Sequence, residues 1–189
     1  MLKKTFAAAF LATFTTAPVL AADAAAYPNR PVRMIVPFAP GGPTDVISRT
    51  IAQKLTEAWG QQVVVDNRAG AGGNIGMGIA AQALPDGYTI LVVSSSFVVN
   101  PTLYAKIPYD PYKSFEPVTN AAASPNVFTV HPSIAAKTMR DIIALAQKNP
   151  GKYNIATPGV GTTPDLGAEL LRMTTKADIV RVPYGGAGP

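Results

Sequence analysis

From Tyr27 onward, short apolar runs alternate with longer segments in which apolar residues return every three or four positions. Residues 32–36 (Val-Arg-Met-Ile-Val) form the first run and stop at Pro37, which predicts a buried strand. A turn-rich stretch follows. Then Val46, Ile47, Ile51, Leu55 and Trp59 recur at helical spacing up to Gly60, with Thr44 or Asp45 as the N-cap. The same grammar predicts a strand at 63–65, a glycine-rich loop at 67–74 and a helix at 75–84. Pro85-Asp86-Gly87 makes a turn before a third strand at 88–93. Connections this long rule out hairpins and predict parallel strands covered by helices.

Residues 94–125 break the rhythm, being rich in Ser, Pro, Tyr and Asn. A short helical turn is expected near 101–104 and an extended segment near 115–123. From Asn126 the rhythm resumes with a strand at 127–130. A helix follows at 138–148, its core face made of Met139, Ile142, Ile143 and Ala146. Asn149-Pro150-Gly151 ends it. A strand at 153–156, a helix at 164–173 and a strand at 179–182 complete the pattern. The prediction is two α/β lobes, 23–123 and the N-terminal part of a second at 124–189, with the boundary near 121–125. The sequence stops just after a strand, where a loop into another helix is expected.

Composition narrows the chemistry. The chain has 189 residues, of which 48% are hydrophobic and 14% charged, enough for a packed core and too little charge for a disordered tail. The absence of cysteine excludes disulfides, thiol catalysis and thiolate metal sites, and a single histidine excludes a multi-histidine metal site. Met1-Leu2-Lys3-Lys4 is a basic head, and residues 5–20 are almost uncharged and are interrupted by Pro18. Small residues then run from Ala21 to Ala26. This is the signature of a signal peptide, residues 1–22, with cleavage between 21 and 26. The apolar run is shorter than the roughly 20 residues of a spanning helix. Export with cleavage is therefore expected. Without Lys3 and Lys4 the net charge falls from +5 to +3. The remaining charges are scattered and form no basic stripe, so nucleic acid is not an expected partner.

Three glycine-rich loops each follow a strand and precede a helix: Pro40-Gly41-Gly42-Pro43-Thr44-Asp45, Gly70-Ala71-Gly72-Gly73-Asn74 and Pro158-Gly159-Val160-Gly161-Thr162-Thr163. Glycine lets a backbone approach a ligand closely, and a helix N-terminus offers unpaired N–H groups and a favourable dipole, so such loops can hold small anions. Two other classes stay open. A nucleotide-binding domain is suggested by Gly70, Gly72 and Gly76, but their spacing is not G-x-G-x-x-G and no Gly-Lys-Ser/Thr occurs. A secreted hydrolase would need a nucleophile elbow, and no G-x-S-x-G is present. His131 reads as a loop histidine. Asp45, Asp66, Asp86 and Asp165 all lie at turns or helix starts, where capping is the ordinary role.

Several long motifs, in order, resemble one family. They are Tyr27-Pro28-Asn29-Arg30-Pro31-Val32-Arg33, Val36-Pro37-Phe38-Ala39-Pro40-Gly41-Gly42-Pro43-Thr44-Asp45, Val65-Asp66-Asn67-Arg68-Ala69-Gly70-Ala71-Gly72-Gly73-Asn74-Ile75-Gly76, Pro85-Asp86-Gly87-Tyr88-Thr89 and Val182-Pro183-Tyr184. The chain is similar over essentially all of its mature length to the Bug family, the periplasmic solute receptors of tripartite tricarboxylate transporters. That resemblance implies a two-lobed α/β fold of the Venus-flytrap, periplasmic-binding-protein type, here C-terminally truncated because family members continue well beyond Pro189. It further implies that residues 23–189 alone fold poorly. The implied function is to bind a small carboxylate between the lobes and deliver it to membrane transporter subunits, with no catalytic residue, metal or cofactor.

The first lobe would contribute Phe38, Ala39, Gly41, Gly42, Thr44 and Asp45, with Ser94, Ser95, Ser96 and Asn100 from the polar loop after the third strand. The second would contribute Thr157, Gly159, Gly161, Thr162, Thr163 and Asp165. In two places the chain departs from the family: Asp165 stands where His is frequent, and Gly185 where a basic residue is frequent. Both changes remove positive charge, which argues against a highly charged ligand such as citrate.

Overall fold

The computed structural model describes residues 27–188, so the expected signal peptide and its cleavage site lie outside the described residues. Strand β1 (Val32–Val36), helix α1 (Pro43–Trp59), strand β2 (Val63–Asn67), a 3₁₀ turn (Ala71–Gly73), helix α2 (Asn74–Ala81) and strand β3 (Thr89–Leu91) build the first lobe. Its sheet is parallel, in the order β2-β1-β3, with Met34 opposite both Val65 and Ile90. The central strand is buried along almost its whole length, which is why it reads as a continuous apolar run. Val32, Met34, Ala52 and Val63 form the core, and Ile51, Leu55 and Trp59 bring the apolar face of α1 onto it. Gly60 ends α1 in a left-handed conformation, and its N–H returns to the Thr56 carbonyl.

Helix α3 (Ser96–Leu103) follows, and residues 104–138 then carry no regular helix or strand. Helix α4 (Met139–Lys148), strand β4 (Tyr153–Thr157), helix α5 (Thr163–Thr175) and strand β5 (Ile179–Pro183) make the second lobe. Strands β4 and β5 pair in parallel, from Tyr153 opposite Ile179 to Thr157 opposite Pro183. Ala146, Ala177 and Ile179 form a smaller core with Tyr153, Ile155 and Leu171 packed against it. Thr138 and Asp141 close a capping box at the start of α4.

Four expectations need correction. Helix α1 is capped by Gly42 rather than by Thr44 or Asp45, because Pro43, whose fixed φ suits the first helical position, already begins the helix. The segment 127–130 is not a strand: no neighbouring strand pairs with it among the described residues, and Val127 is 76% exposed. Apolar composition favours a strand only where a ladder partner and a covered face exist. The helical turn expected at 101–104 starts earlier, at Ser96, and Pro101 lies inside α3 rather than at its start. Helix α2 stops at Ala81, leaving Leu84 at 76% exposure. The irregular segment after α3 is anchored by aromatic packing, with Phe97 stacked on Tyr109 at 5.3 Å and Phe115 set edge-on to both.

Candidate functional site

The loop between β1 and α1 is fastened from below by Asp45, which is 3% exposed at the third position of α1. Its Oδ2 accepts the Gly41 N–H at 2.9 Å and the Arg49 Nε–H at 3.0 Å, and its Oδ1 accepts from Asn67 Nδ2 at 2.9 Å. The same Asn67 nitrogen donates to the Phe38 carbonyl, and Arg49 Nη2 donates to Asn67 Oδ1. Burial pushes the Asp45 carboxyl up, but the donors from Arg49, Gly41 and Asn67 outweigh it and hold the group at about 2.

The loop between β4 and α5 repeats the device. Asp165 is fully buried at the third position of α5. Its Oδ2 accepts the Gly161 N–H at 3.1 Å and Arg181 Nη1 at 2.8 Å, while Oδ1 accepts the Thr157 hydroxyl at 2.9 Å. Gly41 and Gly161 have φ of +84° and +81°, a region that costs any residue with a β-carbon. Thr162 Oγ1 donates to the Gly159 carbonyl at 2.7 Å and closes the turn.

Two of the glycine amides that the sequence offered as anion donors, those of Gly41 and Gly161, are therefore spent within their loops on aspartates. Ala39 N–H donates across the lobes to the Gly185 carbonyl at 3.0 Å. Asp165, expected in the second lobe's binding set, instead lies inside that lobe against Arg181. Ser95 Oγ and Thr163 Oγ1 meet across the lobes at 3.2 Å, and Ser94 Oγ meets Ser96 Oγ at 3.2 Å. Ser96, Asn100, Thr157 and Thr162 are buried. Gly42 packs against the backbone of Ala187, and the Thr44 carbonyl accepts the buried Ser48 hydroxyl.

A cavity of about 260 Å³ opens between the lobes. Phe38, residues 70–73 and Tyr104 line it from the first lobe; Pro158, Val160 and residues 183–185 line it from the second. Of the residues singled out from sequence as a binding set, Phe38 alone lines this space. The second glycine loop was legible as a loop, and Val182-Pro183-Tyr184 as a motif. Nothing in the sequence pointed to Tyr104 as a lining residue; it is the C-cap of α3. The Tyr184 N–H donates to the Thr157 carbonyl at 2.8 Å, continuing the β4–β5 ladder up to the cavity.

The hydrolase reading gains no site. His131 Nδ1 lies 2.8 Å from Ser133 Oγ within one exposed turn, away from the cavity lining. No group of His, Asp or Glu among the described residues is placed to hold a metal ion, and no described helix is long and apolar enough to cross a membrane.

Comparison with known proteins agrees with this architecture. Residues 47–189 match the family described as tripartite tricarboxylate transporter family receptor. Protein BugT of Bordetella pertussis (strain Tohama I) is 41% identical over 182 residues, covering 95% of this chain and 55% of that protein. Among solved structures, R. palustris Rpa4515 with adipate is 36% identical with a TM-score of 0.82, over 85% of this chain and 54% of that one. The periplasmic binding protein BugD is 35% identical with a TM-score of 0.72, over 86% and 55%. The chain spans about half the length of the curated relatives it matches. With its motifs, its two α/β lobes and a profile match over most of its length, the chain belongs to the tripartite tricarboxylate transporter receptor family.

Proposed function

We propose that this chain forms the ligand cleft of a periplasmic receptor that binds a small carboxylate and delivers it to tripartite tricarboxylate-type membrane subunits. The observation that carries this reading is the cavity between the lobes, walled by two strand-to-helix loops and by residues 70–73 just before α2. Helix N-termini behind such loops favour a bound anion. A volume of about 260 Å³ suits a ligand smaller than a typical drug. Further support comes from Rpa4515, a relative solved with adipate.

Isothermal titration of the purified protein with adipate, followed by other mono-, di- and tricarboxylates, tests the reading. Saturable binding of one carboxylate is the expected result. Failure to bind any carboxylate, together with turnover of an ester or amide, would replace it with the hydrolase reading. Delivery is tested separately, by loss of uptake of the same carboxylate when the chain is deleted. Export is tested by N-terminal sequencing of the periplasmic protein, which should begin between residues 22 and 27.

A further inference from the structure

We propose that Asp45 and Asp165 are matched positioning residues: each locks its own lobe's glycine loop by accepting the loop's N–H, and each is neutralised by a dedicated arginine so that no bare negative charge faces an incoming carboxylate. The two sites share one spacing, Gly-x-x-x-Asp, at 41–45 and 161–165. In both, the aspartate is the third helical residue and reaches past the N-cap to the glycine before it. Both carboxylates are nearly or fully buried, and both glycines hold a left-handed φ.

The arginines come from different places. Arg49 lies one turn along the same helix as Asp45, whereas Arg181 reaches Asp165 from β5. One electrostatic arrangement built from two unrelated backbone positions points to neutralisation as the shared requirement. Helix α4 provides a contrast within the same chain. Asp141 is also the third helical residue, and accepts the N–H groups of Lys137 and Thr138, but no arginine pairs with it among the described residues, and the loop before α4 does not reach the cavity, whereas the loops before α1 and α5 line it through Phe38 and through Pro158 and Val160. A helix start behind a loop that lines an anion site must not carry an unpaired carboxylate, because like charges repel strongly where water is excluded.

The experiment has two arms, and only the second rests on the carboxylate-receptor reading. In ligand-free protein, amide hydrogen exchange is followed at Gly41 and Gly161. Asp165→Asn should speed exchange at Gly161 about tenfold while sparing Gly41, and Asp45→Asn should do the reverse, since a neutral acceptor bonds about half as strongly as a charged one. Unchanged exchange at the partnered glycine overturns the lock. In the second arm, adipate is titrated. Arg181→Met should weaken binding about tenfold by leaving a bare carboxylate, and Asp165→Asn/Arg181→Met should recover most of that loss. A double variant no better than Arg181→Met overturns the neutralising role and makes Arg181 a direct ligand or structural contact. If the wild-type protein binds no carboxylate, the receptor reading falls, and the exchange arm still decides the lock.

Discussion

Asn100 of the first lobe and Gly161 of the second meet across the cleft so closely that a β-carbon on Gly161 would stand 2.5 Å from Asn100 Oδ1. Asn100 is fully buried, and its amide nitrogen donates to the Gly72 carbonyl and to Asn74 Oδ1. The oxygen is left to face the other lobe, without a hydrogen-bond partner among the described residues. The bare α-carbon of Gly161 is what lets the two lobes close at this point.

Gly161→Ala should therefore act on both fold and closure. Strain at φ +81° costs about 1 kcal/mol, and the added methyl pushes against Asn100. The expected outcome is a lower melting temperature and, on the carboxylate-receptor proposal, a weakening of carboxylate binding larger than that destabilisation explains. Gly167→Ala is the control: it lies inside α5 with nothing within 4 Å of the added carbon. It should stabilise by up to about 1 kcal/mol.

Tyr109→Phe tests how α3 tolerates Pro101. The proline cannot donate to the carbonyl four residues earlier, Phe97, and the Tyr109 hydroxyl donates to that oxygen at 2.9 Å instead. Burial of that hydroxyl also raises the Tyr109 pKa. Removing it keeps the stacked ring and leaves one helix carbonyl unserved. A loss of about 1 kcal/mol in urea unfolding is expected.

Acid should expose the contribution of Asp45. Its folded pKa is about 2 against an ordinary 3.8, so its stabilisation is complete above about pH 4 and fades as pH falls towards 2. That shift corresponds to about 2 kcal/mol. Unfolding curves between pH 5 and 2 should fall less steeply for Asp45→Asn than for the unaltered protein.

Thr138→Ala removes the side-chain acceptor of the α4 capping box. A loss of about 1 kcal/mol is expected, and Thr138→Ser should retain most of it. Circular dichroism melts distinguish the two.

Much of the fold was legible because β1, β2, β4 and β5 are short apolar runs between turn residues, and α1, α4 and α5 show helical spacing with recognisable starts. Helix α3 was only partly legible. Pro101 reads as a helix start, and nothing local reveals that Tyr109, eight residues on, serves the carbonyl it leaves behind. Residues 127–130 misled for the opposite reason: a strand is defined by a partner elsewhere, which no local pattern supplies. The candidate site divides in the same way. The glycine loops and both aspartates could be found, but the role of Asp165 depends on Arg181, sixteen residues away on another strand.

The aspartate locks also bear on how a cleft of this kind spends its time. Because each aspartate braces its loop from within its own lobe, that part of each loop's shape does not depend on the other lobe. Little conformational entropy is then lost when a ligand arrives, since the ordering was completed during folding. On the carboxylate-receptor proposal, capture should then be fast and governed by collision, and differences in affinity between ligands should lie in the rate of release.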